Sequence, residues 1–314
     1  MKVYVLKRIL MLIPVVFVIS LLIFFLIRVL PGDVINEILG IEQTPEVRAV
    51  LEQQFGFDRP YTEQYLMWAG EVMRGNFGTS LRSGQPILPE FIQRFEVTFQ
   101  LMLVSTLISC VIAIPIGIIS AIKRNSLTDF ILRIFSLLGV SIPNFVFAIL
   151  LILLLAVRFN YYPPITWVSF FDNPLINLEI IFWPSMVMGV RMAGSIMRMT
   201  RTAILEVLGQ DYIKTVRAKG ASEWIVIMKH AFKNSLIPIV TMIGMQIGFL
   251  LGGTVVIEQI FSLPGVGQMT LSAIFRRDYP VVQANIMILA VIFVLINLIV
   301  DILYAVIDPR IKYQ

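Results

Sequence analysis

Six stretches of this chain are apolar for long enough to cross a bilayer, near residues 9–29, 99–122, 130–157, 178–200, 235–257 and 282–307. A helix needs about 20 such residues to span the hydrocarbon core. Inside lipid only helices and closed barrels satisfy every backbone polar group. A barrel would read as short alternating segments, whereas these runs are continuous. With 58% of its residues hydrophobic and 14% charged, a chain of 314 residues cannot hide its apolar surface in a soluble core. The fold class is therefore an all-α polytopic membrane protein with six transmembrane helices. The first run follows Lys2, Lys7 and Arg8, as a signal peptide would. It is too long for one and no small-residue cleavage site follows, so it reads as a retained span.

The connections alternate sides. The N-terminus, the Lys123/Arg124/Arg133 turn, the 201–234 loop and the C-terminus carry a clear excess of Lys and Arg. The 30–98, 158–177 and 258–281 loops carry an excess of Asp and Glu. Short basic connections stay inside, so both termini and the 201–234 loop are expected in the cytoplasm. The chain then divides into residues 1–98, the first span with an extracytoplasmic loop of short helices; 99–307, a five-helix core containing the 201–234 loop; and 308–314, a cytoplasmic tail. In the outer loop, Thr44-Pro45-Glu46 reads as a helix start and Gly56 as its stop, with Val47, Val50, Leu51 and Gln54 at helical spacing. A second short helix is expected from Thr62 to Gly75, burying Tyr65, Leu66, Trp68, Ala69 and Met73.

Polar residues within the spans stand out because an ionisable group there costs roughly 2.5–3.5 kcal/mol on insertion scales. Arg191 lies inside the fourth run, with Ser195 and Arg198 at i+4 and i+7 on the same face. Two readings stand for it: a snorkelling or ion-paired side chain, or the lining of a polar pathway. Asn144 and Gln246 are the other candidates for such a pathway. Asp301, near Asn297 and Tyr304, fits a structural hydrogen bond or ion pair. Gly244, Gly248 and Gly252 form a small-residue stripe, suited to close helix packing or to an inter-subunit or pathway-lining face. Pro115, Pro143 and Pro184 lie in or near spans, where proline kinks helices.

Several functions are excluded or disfavoured. With one cysteine, Cys110, and one histidine, His230, the chain has no His/Cys metal cluster. There is no Gly-x-x-x-x-Gly-Lys-Ser/Thr loop, so the chain should not hydrolyse ATP itself. No nucleophile–base pair or potassium-type filter appears. The expectation is a non-enzymatic subunit with no cofactor of its own and no nucleic-acid partner. The scarcity of carboxylates and histidines in the spans argues against a stand-alone ion-coupled secondary transporter, which remains the alternative of a different class.

The 201–234 loop is the one large soluble feature on the basic side. Ile204, Val207 and Leu208, then Ile225, Ile227, Met228, Ala231 and Phe232, fall at helical spacing. Lys214, Arg217 and Lys219 lie between them and end at Gly220, a helix-terminating residue. Ser222 and Glu223 can start the next helix. The spacing predicts helix, sharp turn and helix on the membrane face. Such a block either anchors on anionic lipid or docks a soluble partner.

The block resembles the cytoplasmic coupling loop of ABC-importer permeases, in the variant of the peptide/nickel branch: Arg217-Ala218-Lys219-Gly220, His230-Ala231, Asn234 and Pro238. Further landmarks run the length of the chain: Arg28 to Asp33, Phe55 to Pro60, Gly75 to Ser80, Thr200-Arg201, Glu258 to Gly267, Arg277 to Pro280, and Asn297, Asp301, Tyr304 and Asp308-Pro309-Arg310. Lys214 stands where the wider family begins its motif with glutamate. Val216 and Asn76 stand where alanine and aspartate are more usual.

The resemblance implies a type I ABC importer permease fold and alternating access in a bacterial or archaeal inner membrane. It implies a second, related permease, two ATP-binding subunits that hold ATP and magnesium, and an extracytoplasmic substrate-binding protein. It implies import of oligopeptides or dipeptides, with nickel complexes or oligosaccharides as the alternative cargo. In that scheme Tyr212, Lys214, Arg217, Ala218, Lys219, Gly220, Ala221, Ser222, Glu223 and Trp224 form the surface that couples to an ATPase. Ala218, Gly220 and Ala221 supply fit, Arg217, Lys219 and Glu223 orienting charge, and Tyr212 and Trp224 anchors at the ends.

Overall fold

Apolar length and a few capping residues set the helices. The computed structural model describes residues 2–29 and 58–307. Among them the regular structure is helical apart from one isolated antiparallel bridge, Thr79 to Pro86. Counting described helices, α1 is Lys2–Val29, α2 Tyr61–Met73, α3 Ile87–Ile122, α4 Leu127–Ser141, α5 Asn144–Phe159 and α6 Pro174–Leu208. Then come α7 Asp211–Ala218, the short α8 Glu223–Ile225, a π-helix at Val226–Phe232, α9 Lys233–Gly253, α10 Val255–Ile260, α11 Val266–Phe275 and α12 Tyr279–Ile307. Among the described residues five helical segments are long and apolar enough to cross a membrane, and six when the bent pair α4/α5 is counted as one broken span. The expected outer helix at 44–56 and the landmarks at 30–33, 55–57 and 308–310 lie outside the described residues.

The third span departs from the expected continuous helix over 130–157. It breaks at Ser141-Ile142-Pro143, and its two halves meet at 102°. Proline disfavours helical geometry in the residue before it, and Ile142 is extended at φ −79°, ψ 123°. Pro115, Pro184 and Pro238 are instead carried inside continuous helices. The second span starts 12 residues before the expected 99, at Ile87, in an amphipathic stretch whose charges Glu90 and Arg94 pair at 2.9 Å.

The chain forms two compact units. One comprises Thr98–Pro264 and the described residues from Ile296 onward. Its centre is α6, in whose most apolar stretch 67% of the residues are buried. Asn173 caps that helix, accepting from the Ile176 N–H at 3.3 Å, with Pro174 at its first position. Helix α6 packs against α4 and α9, and glycines permit the close approaches. A Cβ on Gly194 would stand 2.6 Å from the Ser136 carbonyl oxygen, and one on Gly117 would stand 2.9 Å from that of Met197. The Ser136 hydroxyl donates to the Gly194 carbonyl at 2.7 Å.

The other unit comprises the described residues of Lys2–Val97 together with Gly265–Leu295. Helix α2 begins one residue before the expected Thr62. Only part of its expected apolar face is covered: Tyr65, Trp68 and Ala69 are half-buried, but Leu66 is 68% and Met73 84% exposed. The covered face meets α1, with Phe24 against Tyr65 and Trp68, and Ser20 hydrogen-bonded to Tyr65 at 2.8 Å. Two distant landmarks join here. The Ser80 hydroxyl donates to Asp278 at 2.5 Å and the Leu81 N–H to the same carboxylate at 3.1 Å. Beneath them Ile87, Met269, Ala273 and Val282 form a small core.

Candidate functional site

Two features stand out in the first unit: an exposed helix-turn on one end of the helices, and a cavity among them with several polar side chains in its wall. The helix-turn begins with α7. Its inner face carries Ile213, fully buried, with Tyr212, Val216 and Ala221 packed beside it. These residues share one cluster with Ala121 of α3, Ile204 and Val207 of α6, and Val226 and Ala231 of the π-helix. The Tyr212 hydroxyl accepts from Asn234 Nδ2 at 2.7 Å, tying α7 to the start of α9. The loop is thus rooted in α3 and α6 through apolar contact and tied to α9 by a hydrogen bond.

The turn after α7 needs a left-handed residue, and Gly220 supplies it at φ +82°. Its N–H donates to the Arg217 carbonyl at 2.9 Å, and the Ala221 N–H to Val216 at 3.4 Å, a helix-closing arrangement. Arg217 then reaches over the turn to Glu223, with Nε at 2.7 Å and Nη2 at 3.1 Å from the two carboxylate oxygens. That carboxylate holds the guanidinium's pKa above its ordinary value. Lys214 pairs with Asp211 at 2.8 Å.

Lys214, Arg217, Ala218, Lys219, Gly220, Ser222, Glu223 and Trp224 are exposed, while Tyr212 and Ala221 are half-buried. The structure therefore sorts the sequence-derived set into an outward face and two residues that root it. Trp224 is 70% exposed and Ile225 43%, so the face carries apolar surface between its charges.

Beside this root lies a buried charge network that the sequence did not reveal. Asp129 is fully buried at the start of α4. It accepts from Arg201 Nε and Nη2, both at 2.8 Å, from Ser120 at 2.6 Å and from the Asn125 N–H at 3.1 Å. Arg133 stands 3.6 Å away. Arg201 was visible only as a landmark; its partner is 72 positions distant and nothing local announces the pairing.

The cavity has a volume of about 550 Å³ and is walled by α4, α5, α6 and α9. Arg191, Asn144 and Gln246, the three pathway candidates, all line it, with Ser195 one turn from Arg191. Arg198 does not. The glycine stripe of α9 is split: Gly244 packs against Val300, whereas Gly248 and Gly252 face the cavity.

Residues 113–313 match the family described as the binding-protein-dependent transport system inner membrane component, and residues 1–102 match its N-terminal region. The chain is 38% identical to the glutathione transport system permease protein GsiC of Escherichia coli K12, over 99% of both chains. It shows the same identity and coverage with GsiC of Salmonella typhi. Among solved structures, the inward-facing MetNI methionine ABC transporter aligns with a TM-score of 0.57 at 19% identity, covering 71% of this chain and 99% of that one. Fold and sequence together define a multi-pass permease of the ABC-importer type. The chain belongs to the family of binding-protein-dependent inner-membrane transport components, which implies a partner ATPase and a substrate-binding protein.

Proposed function

We propose that this permease imports short peptides, glutathione-like tripeptides among them, as one half of a heterodimeric membrane channel with a second, related permease. Each permease presents its coupling loop to one of two ATPase subunits. ATP and magnesium reside on those subunits, and this chain catalyses nothing itself. The termini and the 201–234 loop face the cytoplasm, and the opposite side receives the binding protein.

The observation that carries the reading is the exposed Asp211–Trp224 helix-turn, rooted in α3 and α6 through the cluster around Ile213 and tied to α9 by the Tyr212–Asn234 hydrogen bond. A partner that moves this face moves the helix ends with it, because a packed core transmits displacement rather than absorbing it. Closure of the ATPases on ATP then rocks the spans between outward and inward access. The cavity lined by Asn144, Arg191 and Gln246 lies on the route of the solute. The peptide cargo is supported by the full-length similarity to permeases named for glutathione transport.

The test is Gly220→Trp. A bulky side chain at φ +82° strains the turn and obstructs the outward face. Membrane insertion should persist while ATP-driven uptake is abolished. Normal uptake by a well-expressed variant would falsify the coupling assignment.

A further inference from the structure

Arg191 has no hydrogen bond or ion pair with any described residue, although it stands in the middle of a membrane-spanning helix. Its depth can be read along α6. Toward one end, Trp183 donates to the Tyr161 hydroxyl at 3.3 Å, which in turn donates to Glu179 at 2.7 Å, a polar-aromatic group of the kind found at membrane interfaces. Toward the other end sits the Arg201–Asp129 pair. At 1.5 Å per residue Arg191 is about 12 Å from Trp183 and about 15 Å from Arg201. That is mid-depth in a hydrocarbon layer of about 30 Å, out of reach of lipid headgroups on either side.

No Asp or Glu is among the residues that wall its cavity. Two further groups point to a ligand with a negative end. Asn144 is the first residue of α5 and lines the same cavity. The 102° break therefore brings the N-terminal end of a half-helix to the cavity, with unsatisfied N–H groups and the positive end of its dipole. Broken spans use such ends to meet anionic groups of a substrate. The Asn144 Oδ1 is buried with no hydrogen-bond partner among the described residues, so the side chain must turn toward the cavity to accept an N–H from a solute. A Cβ on Gly252 or Gly253 would meet nothing within 4 Å, so the space beside them is open.

We infer that Arg191 determines specificity by receiving a carboxylate of the solute at mid-membrane, with the N-terminus of α5 beside it and Asn144 Oδ1 taking an adjoining N–H. A carboxylate next to an amide N–H is the C-terminal end of a peptide. The inference rests on the peptide-import reading and adds the contact through which the permease itself recognises that cargo.

The test uses the complete transporter, with both permeases, the ATPases and the binding protein, in proteoliposomes. Labelled glutathione and dialanine are the probes. Arg191→Gln should lower uptake by at least about ten-fold, the scale of one charge-assisted hydrogen bond, and by far more than it lowers ATP hydrolysis. Arg191→Lys should recover part of the loss. Ser195→Asp keeps the arginine but places a competing carboxylate one turn away, and should lower uptake likewise. Uptake at the wild-type rate in Arg191→Gln, or in Ser195→Asp should Arg191→Gln fail to assemble, overturns the inference alone. A parallel fall in uptake and ATP hydrolysis without rescue by lysine makes the role structural and also overturns it. A wild-type complex that imports neither probe overturns the peptide reading and this inference with it.

Discussion

Arg217 and Glu223 clasp each other across the Gly220 turn, with both guanidinium contacts at 3.1 Å or less. The pair is exposed, and exposed pairs contribute about 0–1 kcal/mol to stability. Its effect is geometric: it fixes the angle between the end of α7 and the start of α8. Arg217→Glu alone should leave thermal stability within about 1 kcal/mol yet lower ATP-driven uptake roughly ten-fold, the equivalent of about 1.4 kcal/mol. The exchange Arg217→Glu with Glu223→Arg restores the clasp. Recovery of uptake in the exchange variant assigns the effect to the clasp; persistent loss assigns it to a direct contact of Arg217 with the ATPase.

Trp224 presents 70% of its surface beside that clasp. Exposed aromatics at an interface centre are the residues most often worth 2 kcal/mol or more on truncation. Trp224→Ala should leave the folded chain unchanged, since little of the ring packs on it. Recovery of ATPase subunits with the purified permease should fall by roughly thirty-fold in affinity, the equivalent of about 2 kcal/mol. Unchanged recovery would remove Trp224 from the docking surface.

Asp129 is a different case, because its ion pair is buried. Removing one partner leaves Arg201 uncompensated, a loss of about 3–5 kcal/mol in comparable buried pairs. Asp129→Asn should lower the thermal midpoint in detergent and the yield of membrane-inserted protein. Asp129→Leu with Arg201→Met should be less damaging than Asp129→Asn, because the more buried guanidinium goes with the carboxylate and Arg133, 46% exposed, keeps access to its surroundings. A double variant at least as unstable as the single one would contradict that account.

The contrast between these sites explains what the sequence could reveal. Span lengths follow from local apolar runs, and the helix-turn at 211–224 follows from Gly220 with Ser222 and Glu223 just after it, all within one short window. Arg191 was visible because a charge in the middle of an apolar run is a local anomaly. Its pairing state was not, since that depends on what α4, α5 and α9 place opposite it. The same holds for Asp129 with Arg201, and for Ser80 with Asp278, 198 positions apart. The break at Ile142 was half visible: Pro143 signals a kink, but Pro115 and Pro184 carry the same signal and sit in unbroken helices. Nothing in Val226–Phe232 marks it locally as a π-helix.

Gly244 and Gly252 share a face of α9 but meet opposite surroundings, which makes them a matched pair for testing the cavity. A Cβ at Gly244 would lie 2.5 Å from Val300 Cγ2, so Gly244→Leu forces overpacking and should destabilise by about 1–3 kcal/mol. Val300→Ala should relieve part of that. At Gly252 the same substitution meets nothing within 4 Å and extends into the cavity. Gly252→Leu should therefore keep its thermal midpoint and its ATPase partners while losing most peptide uptake, at least about ten-fold, as the route narrows. Thermal unfolding and uptake measured on both variants separate the two effects. If Gly252→Leu transports normally while Gly244→Leu unfolds early, the cavity is not on the path of the solute.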